Sequence, residues 1–185
     1  MTTDHAFVIQ AVRNWVERLV VGYNLCPFAK RELVRESVRF TVSEATAEEA
    51  LLTDLQIELQ RLVDEPAIET TLLIHPRVLS DFMDFNAFLD LADGLLAHMK
   101  LEGVIQIATF HPDYQFAGTH PDDAENYTNR APFPVLHLLR EASLEEAIDR
   151  YPDTAEIPER NIERMDELGV ERLKRLLASC SSDMS

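Results

Sequence analysis

The segment that decides the fold runs from Ile68 to Pro112 and reads IETTLLIHPRVLSDFMDFNAFLDLADGLLAHMKLEGVIQIATFHP. It contains two apolar runs, Ile68 to Ile74 and Val104 to Phe110, with the length and composition of buried strands. Between them a helical pattern follows Ser80, which we expect to cap it, and continues to Met99. A strand, a helix and a second strand in this order predict a crossover within a parallel sheet.

The same alternation extends on both sides of this segment. Ser37 to Ser43 alternates apolar and polar residues, as a strand does, and a capping box at Thr46–Glu49 opens a helix that ends near Pro66. Val135 to Arg140 predicts a fourth strand, whose orientation stays open because no full-length helix precedes it. We therefore expect an α/β fold with a small, mostly parallel sheet of about four strands flanked by helices.

Further helices are predicted near the two ends of the chain. The first covers residues 5–21, with Asp4 or Thr3 as its cap and Gly22 at its end. A second capping box at Ser143–Glu146 starts another, and a last helical region runs from Pro158 to about Ala178 with a break at Gly169. We expect a single domain over residues 1–185, with a core of about 5–178 and a frayed polar tail at 179–185.

Composition and charge limit the classes of function. Hydrophobic residues make up 46% of the 185 residues, and the formal net charge is −16. Such a surface repels phosphate backbones and anionic membranes, so neither nucleic acid nor a membrane is an expected partner. With no signal-peptide pattern, no membrane-spanning apolar run and two distant cysteines, the sequence predicts a cytoplasmic protein without a disulfide.

A long loop, from Thr109 to Pro134, follows the third predicted strand. The loop contains two His-Pro pairs, His111-Pro112 and His120-Pro121. His75-Pro76 closes the second predicted strand in the same way that His111-Pro112 closes the third. If both strands are parallel, both histidines lie at the carboxyl edge of the sheet, where open α/β sheets bind ligands. Loops of this length are usually functional or disordered, and this one is too aromatic for disorder, so we expect a ligand site here.

The first candidate chemistry is nucleophilic catalysis by Cys26. Pro27 suits the first turn of a short helix, which would place Cys26 at or beside its N-cap and favour a thiolate. His111 would act as the base, with Asn129 or Asn126 orienting it. The alternative is that Cys26 is a small buried hydrophobic residue, as most free cysteines are.

Three further residues are predicted to contact the substrate. Arg130 has the fork geometry that holds a carboxylate or a phosphate, and His75 and Tyr114 would complete the wall of the site. The alternative is that the aromatic residues pin the loop to the core, and that His75 bonds to a loop carbonyl.

The second candidate chemistry is a metal site in the loop. His111 and His120, with aspartates at positions 113, 122 and 123, are ligand types that suit zinc or ferrous iron. Their spacing matches no compact metal motif. The alternative is that Asp122 and Asp123 are the acidic first turn of a helix that begins at Pro121.

Three separated motifs give the chain a family resemblance. They are Asn24 to Ala29 (NLCPFA), Phe110 to Phe116 (FHPDYQF) and Asn129 to Pro134 (NRAPFP). In this order and spacing they resemble the bacterial family described as domain of unknown function 1415, from about Ala11 to Leu177. The resemblance implies that the Cys26 segment and the loop belong to one pattern, and it brings no activity or cofactor with it.

Three functional hypotheses follow. The first is an enzyme acting on a small anionic metabolite in a pocket of Cys26, His111, Asn129 and Arg130. The second is a metal-dependent enzyme using His111 and His120. The third is a ligand-binding or interaction module without catalysis. A small molecule is the expected partner in the first two, and no cofactor follows from the sequence, which lacks the dinucleotide, P-loop and Gly-x-Ser-x-Gly motifs.

Overall fold

The structure is a computed structural model that describes residues 4–151 and 153–182. These residues form a four-stranded sheet and seven α-helices. The strands are β1 (Val38–Val42), β2 (Thr70–Ile74), β3 (Ile105–Phe110) and β4 (Val135–Arg140). The helices are α1 (His5–Trp15), α2 (Ala29–Val34), α3 (Glu48–Asp64), α4 (Phe82–His98), α5 (Glu141–Arg150), α6 (Ile157–Leu168) and α7 (Val170–Ser182).

The sheet has the strand order β1-β2-β4-β3. β1 and β2 pair in parallel, whereas β4 is antiparallel to both of its neighbours, β2 and β3. The α/β class and the four strands are confirmed, but the expectation of a mostly parallel sheet is wrong for the pairing, since two of the three pairs are antiparallel. The physical reason is that β4 returns from the long loop into the gap between β2 and β3.

The strand directions still bring three carboxyl ends to one edge. Because β2 and β3 are both antiparallel to β4, they run in the same direction as each other and as β1. His75 and His111 follow β2 and β3 directly, so both lie at this edge, on either side of Pro134, the residue before β4. The backbone N–H of His75 donates to the carbonyl of Pro134 at 3.1 Å.

Each face of the sheet has its own apolar core. On one face α3 and α4 pack against the sheet through Leu55, Leu59, Phe85 and Phe88, with Leu73 and Leu136 from the strands. On the other face lie α1, α6 and α7, with Leu72, Ile74 and Val135 from the sheet. Alternate residues of each strand serve the two cores, so an adjacent pair such as Leu72 and Leu73 faces opposite ways.

The N-terminal helix continues through a π-helical segment. α1 is capped by Asp4, whose carboxylate accepts the N–H of Phe7 at 3.1 Å, and the alternative cap Thr3 lies outside the described residues. Val16–Val21 then forms a π-helix that ends at Gly22. The predicted helix over 5–21 is thus confirmed in extent, with its last six residues wound more widely than an α-helix.

Three predicted helix starts and the predicted tail need correction. α3 is capped by Ala47 without a side-chain bond, Asp81 rather than Ser80 caps α4, and α5 begins directly after β4, ahead of the expected box. The tail is wrong for residues 179–182, which belong to α7, while 183–185 lie outside the described residues. Cys180 is buried, and its carbonyl accepts from the Asn14 amide at 3.0 Å, which holds α7 on α1.

Candidate functional site

An apolar cavity of about 280 Å³ lies on the sheet face opposite α3 and α4. The π-helical segment, the chain from Cys26 into α2, and α5 enclose it above the strands. Its apolar wall comprises Trp15, Val16, Val20, Phe28, Leu33, Val38, Leu72, Ala108, Phe110, Leu139, Leu144 and Ala147. Among the described residues no helix is long and apolar enough to cross a membrane.

His137 supplies a polar group on the strand floor of this cavity. It lies on β4 between Leu72 of β2 and Ala108 of β3, and its Nε2 is 2.7 Å from the hydroxyl of Thr70. That hydroxyl donates to the carbonyl of Leu138 at 2.7 Å, so the imidazole N–H must be on Nε2 and donate to Thr70. Burial lowers the pKa of His137 to about 4, which leaves a neutral ring with Nδ1 as an acceptor.

Cys26 is a further polar residue of this wall. It is half-buried and lies before α2, whose N-cap is Phe28, so the helix starts later than predicted. Burial raises the pKa of the Cys26 thiol by more than the N–H groups of Phe28 and Ala29 lower it. The expectation of a helix-stabilised thiolate therefore does not hold, because desolvation outweighs the short helix.

A second cavity, of about 430 Å³, adjoins the first at Cys26. The two share Val20, Cys26 and Phe110 in their walls. The rest of the second wall comes from Leu25, from the long loop and from α6, the last two through Phe116, Glu125, Thr128, Asn129, Ile157, Pro158, Asn161 and Ile162. The structure thus brings two predicted site residues, Cys26 and Asn129, to one cavity.

The histidines that end β2 and β3 are not part of these cavities. His75 and His111 are fully buried against Phe85, which belongs to the core under α3 and α4. The sheet therefore separates both histidines from the face that carries Cys26. The structure does not bring His111 to Cys26 as the sequence-based catalytic pair would need.

The remaining predicted contact residues hold the loop together. The guanidinium of Arg130 donates to the carbonyls of Tyr114 at 3.0 Å and Pro121 at 2.8 Å, and it lies 4.7 Å from the Tyr127 ring. Tyr114 packs on Phe82 with ring centroids 5.1 Å apart. Both residues line neither cavity, and Arg130 has its donors directed at backbone carbonyls.

The two histidines of the metal hypothesis lie in different surroundings. His120 is exposed, and its Nδ1 accepts the N–H of Asp122 at 3.2 Å, whereas His111 is buried. Within residues 4–151 and 153–182, no three His, Cys, Asp or Glu side chains are grouped so that they could hold a metal ion. The structure therefore gives the metal hypothesis no ligand set among these residues.

Sequence reasoning missed His137. Its signal was present, because it is the one titratable residue inside the apolar run from Val135 to Leu139. A half-buried histidine in a central strand needs a hydrogen-bond partner, here Thr70, and residues with strongly shifted pKa values are frequent at functional sites. The sequence also placed Trp15 in the helix core, without indicating that it borders a cavity.

Comparison with known proteins supplies the family and no activity. No curated protein and no solved structure matches the chain significantly. A family model matches residues 7–175 of the 185-residue chain. The three motifs lie inside this range and contribute Cys26, Phe110, Phe116 and Asn129 to the adjoining cavities. The chain therefore belongs to the family described as protein of unknown function (DUF1415).

Proposed function

We propose that this protein binds a small, mainly apolar molecule in the cavity between the sheet and the π-helical segment. The observation that carries the proposal is the cavity itself, with its largely apolar wall and a few polar side chains, among them Cys26 and His137. Small-molecule sites are typically concave and apolar, with a few placed polar groups that orient the ligand.

The energetics of packing support an occupant. Protein interiors are close-packed, and an empty apolar cavity destabilises a fold because its wall atoms lose contacts. A ligand of matching size restores those contacts and stabilises the folded state. Val16 and Val20, from a π-helical turn, help to form the wall, and such turns occur frequently at functional sites.

The polar groups of the wall indicate which hydrogen-bonding groups a ligand would carry. His137 keeps Nδ1 as an acceptor, so a ligand hydroxyl or amine can donate to it. The basic residues in the wall are engaged, since Arg31 pairs with Glu32 at 2.7 Å and Arg140 donates to backbone carbonyls. Glu69 also lines the wall, and its Oε1 is buried without a hydrogen-bond partner among the described residues. The wall therefore favours a hydrogen-bond donor over the anionic metabolite expected from the sequence.

The chain contains one tryptophan, and this residue reports on the cavity directly. Trp15 lies in the wall, beside Phe110 at a centroid distance of 4.9 Å. Bromine quenches indole fluorescence at contact, so titration with a bromo-octanol should quench Trp15 saturably. Absence of saturable quenching in the unmodified protein would overturn the proposal.

A matched pair of variants tests whether the quencher is in the cavity. Ala147→Leu on α5 adds volume to the wall, whereas Ala97→Leu adds the same volume on the exposed side of α4. We expect at least a tenfold loss of bromo-octanol affinity in the first variant and none in the second. Equal affinities in both variants would place the bound molecule elsewhere and contradict the proposal.

Catalysis at Cys26 is a second candidate, favoured by the cavity that Cys26 and His137 share. A neutral imidazole can accept a hydrogen bond from a thiol and so orient the sulfur, while the lowered pKa of His137 and the raised pKa of Cys26 keep the proton on the sulfur. Iodoacetamide alkylation of Cys26, followed by peptide mass spectrometry at neutral pH, measures this. We expect a several-fold slower rate in His137→Gln, and an unchanged rate would remove the basis for catalysis.

A further inference from the structure

Among the described residues, the second cavity carries a carboxylate and no basic side chain, whereas the first cavity has basic as well as acidic side chains in its wall. The second cavity is lined mainly by apolar residues, including Phe110, Phe116 and Ile157, and it carries the carboxylate of Glu125. Glu125 is half-buried and forms no ion pair with any described residue. None of the described residues that line this cavity is a lysine or an arginine.

The amide and hydroxyl groups of this cavity are engaged within the protein. The Asn161 amide donates to the carbonyl of Leu25 at 2.9 Å, and the Asn129 amide donates to the carbonyl of Thr109 at 3.2 Å. The Thr128 hydroxyl lies 2.9 Å from the Glu125 carbonyl and 3.2 Å from the Asn129 side-chain oxygen. The Glu125 carboxylate is therefore the strongest uncommitted group that a ligand meets here.

We propose, resting on the function proposed above, that the two cavities together hold one amphipathic cation. Its apolar chain occupies the cavity above the sheet, and its ammonium group lies in the second cavity near Glu125. The shared wall at Val20, Cys26 and Phe110 makes the two spaces adjacent. The ligand class is thus a primary amine or a similar cation on an apolar chain.

Electrostatics supports a cation over an anion. An ammonium beside a half-buried carboxylate gains attraction in surroundings less polar than water, whereas a carboxylate there is repelled. The net charge of −16 also raises the local concentration of cations around the whole molecule. An uncharged head group gains neither effect, so it serves as the reference.

Three ligands with the same chain separate the contributions. Octylamine, octanol and octanoate compete with the bromo-octanol for Trp15 at neutral pH, where the first is a cation and the last an anion. We expect octylamine to bind at least fivefold tighter than octanol, and octanoate to bind more weakly than both. Added salt should reduce the advantage of the amine without changing octanol binding.

Two variants locate the charge effect. Glu125→Gln should abolish the advantage of octylamine over octanol, while Glu163→Gln, at an exposed position of α6, should preserve it. Suppose that octanol binds. If octylamine then has no salt-dependent advantage over octanol, or if that advantage persists in Glu125→Gln, this inference fails and the proposed function stands. If none of the three ligands displaces the bromo-octanol, the proposed function fails with it. The salt dependence decides the inference in the unmodified protein even if Glu125→Gln does not fold.

Discussion

The side chains of His75 and His111 form hydrogen bonds with backbone carbonyls of the segment that precedes α4. Nδ1 of His75 lies 3.0 Å from the carbonyl of Val78, and Nε2 of His111 lies 3.0 Å from that of Leu79. Nδ1 of His111 accepts the N–H of Asp113 at 3.0 Å, which fixes its proton on Nε2. Leu79 has a φ of 59°, a left-handed conformation that is costly outside glycine, so both histidines hold a strained turn.

The burial of His75 predicts a dependence of stability on pH. Burial lowers the pKa of His75 from 6.5 to about 4, so the unfolded chain takes up a proton at a higher pH than the folded one. His75 therefore makes its full contribution to the free energy of unfolding above pH 6.5, and this contribution declines as the pH falls towards 4. We expect up to about 3 kcal/mol of loss in the free energy of unfolding.

Urea unfolding at a series of pH values measures this contribution. In His75→Phe, which keeps an aromatic ring against Phe85, the decline between pH 6.5 and 4 should be smaller than in the unmodified protein. His137, whose pKa burial also lowers, retains its own share of the decline. An identical pH dependence in both proteins would contradict the burial of a neutral His75.

The end of the π-helical segment requires a glycine at position 22. The N–H of Gly22 donates to the carbonyl of Glu17 at 3.0 Å, and its φ of −57° is not left-handed. A Cβ at this position would lie 2.2 Å from the carbonyl oxygen of Arg18. Gly22 ends the helix as predicted, and it is required there by the close approach of the backbone and not by a left-handed φ.

A pair of glycine substitutions tests this steric requirement. Gly22→Ala should destabilise the protein by about 1–3 kcal/mol, because the backbone must move to admit the methyl group. Gly94→Ala, in α4 with no atom within 4 Å of the new Cβ, should stabilise it by about 0.5–1 kcal/mol. Thermal denaturation of the two variants gives the signs, and a neutral Gly22→Ala would contradict the tight π turn.

Asn126 organises the long loop. It is fully buried, and its side-chain oxygen accepts from the N–H of Phe116 at 2.9 Å and the hydroxyl of Thr119 at 3.0 Å. Its amide donates to the carbonyl of His120 at 2.8 Å. These bonds join the aromatic part of the loop to the short 3₁₀ turn Ala124–Thr128, which carries Glu125 and Thr128 of the second cavity.

Removal of this side chain should loosen the loop. Asn126→Ala leaves buried donors and acceptors without partners, so we expect a loss of about 2–4 kcal/mol. Limited proteolysis should then cut within 111–134 faster than in the unmodified protein. Asn86→Ala, at an exposed position of α4, should change neither stability nor cleavage appreciably. Equal cleavage rates in the two variants would show that Asn126 does not hold the loop.

At the scale of the whole molecule, local patterns were sufficient for the elements and insufficient for their pairing. Each of the four strands lies within its predicted segment, because alternation and apolar runs are local properties of the sequence. The insertion of β4 between β2 and β3 depends on a return across 24 residues of loop, from 111 to 134, which no local pattern encodes. The prediction of a mostly parallel sheet was wrong for this reason.

For the candidate site, too, local sequence patterns predicted some residues, whereas the packing of distant segments was not predictable from them. The sequence tied Cys26 to the long loop, and Cys26 and Asn129 do line one cavity. It could not tell which sheet face each strand-end residue occupies, so it grouped His111 with Cys26, although Phe110 and His111 face opposite sides. The cavity near His137 is a property of packing between distant segments, and composition alone does not reveal it.

The most direct test of the account is the crystal structure of the protein grown with the bromo-octanol, with the bromine located by its anomalous scattering. We predict one strong bromine site inside the cavity, within contact of Trp15 and Ala147, with the ligand hydroxyl close to His137 or Cys26. Bromine confined to the outer surface, with the cavity closed or filled by the protein's own side chains, would contradict the account.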